Sequence, residues 1–168
     1  DVTFEPWSGA AMPSGTYNYC LTGQLDLDGM LEIPSGVTLN LCLNGNSITG
    51  NDRGFQINGT LNLCDCGNSG EVTTTKVRQG AIFYVRDGGV FNLYGGTLKG
   101  TKTMASDGGL GVIGLNADGG AVMNMYGGTI TGGTANNGNG GNIYNAGTLN
   151  IYGGTITGGT ANSGNGGN

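Results

Sequence analysis

The sequence predicts an all-β fold, a right-handed parallel β-helix in which short strands stack coil upon coil, and two observations predict it. The first is a repeat, because the segment 125–136 recurs almost unchanged at 151–162. Repeats of roughly 20 to 50 residues are typical of solenoids, in which each coil buries its apolar side against its neighbours. The second is the alternation of apolar and polar residues in segments such as 37–44, which is the period of a strand rather than a helix.

One asparagine marks the same place in each coil. The six are Asn18, Asn40, Asn62, Asn92, Asn124 and Asn150, with spacings of 22, 22, 30, 32 and 26. About six coils are therefore expected, each with three short strands and three turns. We assign 1–16 to an irregular N-terminal cap and 17–168 to a single solenoid domain whose C-terminal end is open or truncated. Trp7 and Phe4 are expected to cover the open end of the first coil.

Alignment on these asparagines predicts which side chains point inward. The two inward columns are Tyr17, Leu39, Leu61, Phe91, Met123 and Leu149, and Tyr19, Leu41, Leu63, Leu93, Met125 and Ile151. The asparagines point outward, as does a further column formed by Cys20, Cys42, Cys64, Tyr94, Tyr126 and Tyr152. The expected core is therefore a narrow apolar column, and the chain is long enough for one such domain.

Composition narrows the set of partners. Glycine contributes 38 residues, about three times its usual share, without the Gly-X-Y period of collagen. A net charge of −5 with only six Lys and Arg argues against a nucleic-acid partner. No apolar run has the length of a membrane span, and the sequence contains no signal peptide. A start at Asp1 is what we expect of a mature or trimmed product. The segment 119–168 has no charged residue, which suits sugar, ice or another copy of the same surface.

Four cysteines are disulfide candidates, namely Cys20, Cys42, Cys64 and Cys66. In-register residues of adjacent coils lie about 4.8 Å apart, which a disulfide tolerates. Cys20–Cys42 and Cys42–Cys64 are both feasible, Cys42–Cys66 is a diagonal alternative, and Cys20–Cys64 would skip a coil. We expect at least one bridge involving Cys42, with its partner left open. A thiolate metal site at Cys64 and Cys66 is the rival, but this spacing without any histidine is a weak zinc signal, so no metal and no cofactor are expected.

The wide spacing in the middle of the chain predicts two loop insertions, at 70–78 and 99–109. Arg86 and Asp118 each lie six residues before a coil asparagine. They are therefore expected to stack on neighbouring coils as a structural ion pair, with Asp87 alongside.

Outward ladders are the candidate contact surface. They comprise the asparagines Asn92, Asn124 and Asn150, the tyrosines Tyr94, Tyr126 and Tyr152, and the threonine pairs Thr129, Thr131, Thr155 and Thr157. Tyrosine offers a ring for a sugar or protein neighbour and a hydroxyl for a hydrogen bond, although a tyrosine stack that simply covers the strands is the alternative. The threonine pairs resemble the ice-contacting arrays of β-solenoid antifreeze proteins. They occupy only two rungs, however, and Lys99 takes the matching place one coil earlier.

Several segments resemble a known family. Segments 15–22, 37–48 and 61–66, and the Tyr-Gly-Gly-Thr-Ile-Thr-Gly repeats, are similar to pectate-lyase-like right-handed β-helix domains. Such domains occur in large secreted and surface proteins of Gram-positive bacteria, often from the gut or rumen. The resemblance implies an extracellular or cell-surface location. It leaves activity open, because these domains serve both as adhesin stalks and as carbohydrate-active modules.

Catalysis is not expected from these residues. β-Helical lyases need a Ca²⁺-binding cluster of carboxylates with a Lys or Arg base, and β-helical hydrolases need two or three close aspartates. Asp26 and Asp28 are the best pair, but no basic residue aligns with them, and the chain has no histidine. The expected function is that of an extracellular adhesin stalk or self-assembling, filament-forming surface scaffold that contacts itself, other surface proteins or polysaccharide. A carbohydrate-active β-helix, either a polysaccharide lyase or a glycan-binding module, and an ice-binding β-solenoid are the alternatives.

Overall fold

The computed structural model describes residues 3–50, 53–75, 81–86, 88–100, 111–116 and 120–168. Every regular element in these ranges is a β-strand, because the alternating segments are short and glycine-rich turns interrupt them. In chain order the strands are β1 (Glu5–Pro6), β2 (Gly15–Cys20), β3 (Leu25–Leu27), β4 (Leu31–Ile33), β5 (Val37–Cys42), β6 (Ser47–Gly50), β7 (Phe55–Ile57), β8 (Thr60–Cys64), β9 (Glu71–Thr74), β10 (Phe83–Val85), β11 (Val90–Leu93), β12 (Thr97–Lys99), β13 (Ile113–Leu115), β14 (Val122–Met125), β15 (Thr129–Thr131), β16 (Thr134–Ala135), β17 (Ile143–Asn145), β18 (Thr148–Ile151), β19 (Thr155–Thr157) and β20 (Thr160–Ala161).

Three long parallel sheets run from coil to coil. The first, called the asparagine sheet below, has the order β1-β2-β5-β8-β11-β14-β18. The second has the order β3-β6-β9-β12-β15-β19, and the third has the order β4-β7-β10-β13-β17. A short fourth sheet pairs β16 with β20. Because successive turns of the chain contribute parallel strands to the same sheets, the predicted all-β parallel solenoid is confirmed.

The number of turns is slightly lower than predicted. The third sheet has five strands, so about five turns place a strand in all three long sheets. The turn that begins at β18 adds strands to the asparagine sheet and the second sheet, but none to the third. The count of six asparagines was therefore wrong as a count of complete turns, because the last asparagine starts a turn that does not close within 148–168.

The predicted inward columns form the core. Leu61 pairs in register with Leu39 on one side and with Phe91 on the other, and all three are fully buried. Burial decreases toward the ends of the solenoid, where Tyr17 is partly buried and Ile151 is 55% exposed. The asparagine register thus determines the core, since a slip of one residue would turn these side chains outward.

A stack of three phenylalanines joins two sheets across this core. Phe55 in β7 stacks on Phe83 in β10, with ring centroids 4.9 Å apart and ring planes inclined by 2°. Phe83 stacks in turn on Phe91 in β11 at the same distance. All three side chains are fully buried, so this stack anchors the middle of the solenoid.

Trp7 covers the apolar end of the first coil. Its ring is buried and stacks on Tyr19 at 6.0 Å, and its backbone N–H donates to the Cys20 carbonyl. Met12 is buried beside the same core. Phe4 does not share this role, because it is 38% exposed and lies over the outer face of the asparagine sheet.

The predicted insertion at 70–78 was wrong in its first half. Glu71–Thr74 is the strand β9, which pairs with β6 and β12 and buries Val72 and Thr74. The prediction rested on the wide spacing of the asparagines, whereas the alternation of apolar and polar residues continues through this segment as a strand. Residues 76–78, and 101–109 of the second predicted insertion, lie outside the described residues.

Candidate functional site

The outer face of the asparagine sheet carries a continuous ladder of amides. Each asparagine from Asn40 onward donates from Nδ2 to Oδ1 of the asparagine one coil earlier, at 2.6, 2.6, 2.7, 2.8 and 2.9 Å along the chain. We call the set Asn18, Asn40, Asn62, Asn92, Asn124 and Asn150 the asparagine ladder. The in-register pairing of the strands places identical amides side by side, which lets each amide donate and accept. The asparagine ladder therefore holds adjacent coils together.

A row of exposed aromatic rings lies beside the last part of this ladder. Tyr94, Tyr126 and Tyr152, the tyrosine ladder, follow β11, β14 and β18 directly. Ring centroids are 4.9 Å apart for the first pair and 5.0 Å for the second, with planes inclined by 8° and 10°. The three side chains are 51%, 45% and 67% exposed. The stacked rings thus present their edges and hydroxyl groups to solvent as a regular row.

A groove lies between the tyrosine ladder and the N-terminal segment. Its volume is about 320 Å³, and Phe4 and Tyr94 form part of its wall. Leu41, Cys64 and three amides, Asn18, Asn40 and Asn62, also line it. A mainly apolar pocket with a few convergent polar groups is the usual form of a small-molecule site, and this volume is at the low end of the range for such sites.

The threonine pairs align as predicted, but the array is short. Thr129 pairs with Thr155 and Thr131 with Thr157 in the second sheet. One coil earlier Lys99 takes the place of Thr131 and forms an exposed ion pair with Glu71, with 3.3 Å between Lys99 Nζ and Glu71 Oε2. A charged pair thus interrupts the threonine surface after two rungs.

Asp65 fixes the turn that follows β8. One carboxylate oxygen accepts hydrogen bonds from the Gly45 N–H at 2.7 Å and the Gly67 N–H at 3.2 Å, and the other accepts from the Gly70 N–H at 2.7 Å. Partial burial by itself raises the pKa of this carboxyl. The donated N–H groups of Gly45, Gly70, Gly67 and Asn68 outweigh burial and hold the pKa below its usual value.

We predict that acid weakens the solenoid through Asp65. A carboxyl whose pKa is lowered in the folded state contributes stability above the unfolded pKa, near 4, and loses it as pH falls through the folded pKa. Asp65→Asn should lower the free energy of unfolding by about 1–2 kcal/mol near neutral pH, because the amide cannot accept at both ends. This deficit should shrink at about pH 3 in urea titrations. Asp26→Asn is the matched control, since Asp26 accepts from the exposed Gln24 side chain. A deficit that is the same at both pH values would contradict the prediction.

Three cysteine side chains converge at the turn that Asp65 fixes. The sulfur atoms of Cys42, Cys64 and Cys66, called the cysteine cluster below, all lie within 4.8 Å of one another. The Cys42 thiol donates to the Cys66 sulfur at 2.7 Å, and Cys64 is the in-register partner of Cys42. Burial is the largest cause of a raised pKa at Cys64, and the neighbouring thiols of Cys42 and Cys66 raise it further, to about 12. The contact with Cys42 also raises the pKa of Cys66. Cys20 pairs in register with Cys42 on the opposite side.

The charged residues singled out in the sequence are only partly described by the structure. Asp118 and Asp87 lie outside the described residues, so the predicted ion pair with Arg86 stays a prediction. The Arg86 guanidinium lies over the ring of Tyr84, with 5.7 Å from Cζ to the centroid, and Arg53 lies over the same ring at the same distance. Asp26 lies in β3, where it pairs with Thr49 of β6.

Sequence reasoning missed Asn142, a fully buried polar residue. Its Oδ1 accepts from the Gly133 N–H at 2.9 Å, and its Nδ2 donates to the Thr157 carbonyl and to Asn168 Oδ1, both at 2.8 Å. The 26-residue repeat is the signal that could have found it, because Asn168 accepts from the Gly159 N–H in the same way. Asn142 therefore links the last two coils rather than facing solvent.

Comparisons of the chain with models of protein families, with curated proteins and with solved structures gave no match. Among the described residues there is no helix with the length and apolar character needed to cross a bilayer. Function must therefore be inferred from the chain's own residues.

Proposed function

We propose that this chain is a non-catalytic β-solenoid that serves as a stalk or self-assembling scaffold at the surface of a bacterium, with the tyrosine ladder as its contact surface. The observation that carries the proposal is the row of three stacked and exposed rings, Tyr94, Tyr126 and Tyr152. Tyrosine is enriched at protein interfaces because it buries a large apolar ring and still offers a hydroxyl.

The chemistry of the outer face favours structure over catalysis. The amides of the asparagine ladder donate hydrogen bonds to one another, and the Asp65 carboxylate accepts backbone N–H groups. Both groups thus perform structural tasks. The extracellular bacterial setting is proposed from the resemblance of segments 37–48 and 61–66 to pectate-lyase-like β-helix domains.

Charge distribution favours a second copy of the chain as the partner. The net charge of −5 comes entirely from residues before Gly119, since 119–168 contains no Asp, Glu, Lys or Arg. Tyr126 and Tyr152 lie in this neutral part, so two copies can approach here without like-charge repulsion. A row of rings that repeats at the coil spacing can also pair with an identical row in register.

The double substitution Tyr126→Ala with Tyr152→Ala tests this surface. We expect self-association to weaken by about tenfold or more, because aromatic residues contribute most of the binding energy of many interfaces. The far-UV circular dichroism spectrum should not change, since both side chains are largely exposed. Sedimentation velocity over a range of concentrations measures the effect.

Tyr144→Ala is the matched control. Tyr144 lies in β17 of the third sheet, is partly buried, and belongs to the same neutral part of the chain. Its substitution should leave self-association as in the wild type. If the wild type, the double variant and Tyr144→Ala all associate equally, the tyrosine ladder is not the contact surface.

Polysaccharide binding is the second candidate, and the groove beside Tyr94 favours it. Phe4 and Tyr94 offer ring surfaces to a sugar, and the amides of Asn18, Asn40 and Asn62 lie along the same groove. Binding to a polysaccharide that is lost in Tyr94→Ala but retained in Tyr152→Ala would favour this function over self-assembly.

A further inference from the structure

The cysteine cluster lies where the second and third turns meet. Cys42 ends β5, Cys64 ends β8, and Cys66 follows Asp65 in the next turn. The Cys42 and Cys66 sulfur atoms are 2.7 Å apart. We propose that Cys42 and Cys66 form a disulfide that links the two turns covalently, with Cys20 and Cys64 remaining thiols.

The turn around Asp65 brings Cys66 to Cys42. Asp65 accepts the N–H groups of Gly45, which follows β5, and of Gly67, which follows Cys66. Gly67 lies directly against the backbone of Gly45, which leaves no room for a Cβ atom. The backbone at Gly45, three residues after Cys42, is therefore held against the backbone at Gly67, directly after Cys66, before any bond forms, which lowers the cost of closing the bridge.

The same geometry argues against a metal ion on these sulfurs. Two thiolates that share one zinc ion, each about 2.3 Å from the metal, lie roughly 3.8 Å apart in tetrahedral geometry. Cys42 and Cys66 are much closer than this, at 2.7 Å. The chain also has no histidine to complete a coordination shell.

Exposure and protonation select Cys66 rather than Cys64 as the partner. Cys66 is exposed, so a solution oxidant can reach it, whereas Cys42 is buried. Cys64 is half-buried, and burial is the largest cause that raises its pKa to about 12, whereas the pKa of the exposed Cys66 is raised first by its contact with Cys42, the partner in the bridge. Since the thiolate is the attacking species, Cys64 competes poorly for the bridge.

A small-molecule disulfide such as oxidised glutathione supplies the oxidation. The Cys66 thiolate attacks one sulfur of that disulfide, forms a mixed disulfide and releases one small thiolate. The Cys42 sulfur, after losing its proton to solvent, then attacks Cys66 Sγ and releases the second small thiolate. Two protein thiols are thus oxidised while one small disulfide is reduced to two thiols.

Peptide mapping tests the pairing directly. A protease that cleaves before aspartate cuts between Cys64 and Asp65 and places each cysteine in its own peptide: 1–25, 28–51, 52–64 and 65–86. In protein equilibrated with oxidised glutathione, we expect one linked species, 28–51 joined to 65–86. Alkylation of the denatured protein should find two free thiols before reduction and four after it.

Variants separate this bridge from its rivals. Cys64→Ser should retain the linked peptides and a melting temperature that falls by about 5–10 °C on reduction. In Cys66→Ser, the melting temperature should fall less on reduction, and the link between peptides 28–51 and 65–86 should be absent. A link from 28–51 to 52–64 or to 1–25 in the wild type would overturn the proposal. A disulfide between two chains would also overturn it. Four free thiols after treatment with oxidised glutathione would overturn it as well, whether or not a metal ion is bound.

Discussion

Phe83→Ala is expected to lower the free energy of unfolding by about 3–5 kcal/mol. Phe83 is fully buried, and its ring lies between those of Phe55 and Phe91 at 4.9 Å from each. Alanine would leave a cavity in the middle of the stack. The two neighbouring rings cannot close it, because each is attached to a different strand of the rigid scaffold. Urea unfolding followed by circular dichroism measures the loss.

Phe4→Ala provides the comparison. Phe4 is partly exposed at the edge of the groove, so its removal should cost less than about 1 kcal/mol. If Phe83→Ala were as stable as Phe4→Ala, the phenylalanine stack would not be the centre of the core.

Gly59→Ala is expected to cost about 2–3 kcal/mol or to prevent folding. A Cβ atom on Gly59 would collide with the carbonyl oxygens of Pro34 and Val37. Both oxygens belong to the backbone of the adjacent coil, and the Gly59 N–H donates to the Ile33 carbonyl at 2.9 Å. The coil therefore cannot move aside without breaking its own hydrogen bonds. The same urea titration measures the change.

Gly23→Ala is the matched control for this prediction. A Cβ atom on Gly23 would meet no atom within 4 Å, so alanine there should change stability by about 0.5 kcal/mol or less. Equal stability of the two variants would mean that the coils are less closely spaced at Gly59 than the structure shows.

The fold could be predicted because the same pattern of apolar and polar residues recurs in each coil and indicates how the strands align. A polar residue flanked by two apolar ones recurs at Asn40, Asn62 and Asn92, and the strands pair at these positions. In a parallel stack, in-register pairing also determines which side chains become neighbours. The stacking of Tyr94 on Tyr126 follows from the same register.

Other features could not be predicted because they depend on contacts between different sheets. The phenylalanine stack joins β7 and β10 to β11, and no pattern within one strand reveals that Phe83 meets Phe91. Cys42–Cys66 was one of several pairings that the sequence left open, because the choice depends on a turn whose path Asp65 sets through three backbone N–H groups. The burial of Asn142 likewise depends on where the Gly133 turn folds back.

The central proposal is that the neutral part of this solenoid associates with itself through the tyrosine ladder. Sedimentation velocity of the wild-type chain across a wide range of protein concentration, with negative-stain electron microscopy of the same samples, tests it most directly. The proposal predicts a sedimentation coefficient that rises with concentration, and particles that lengthen or pair along the face bearing Tyr126 and Tyr152. A single short rod with a constant sedimentation coefficient at every concentration would contradict it.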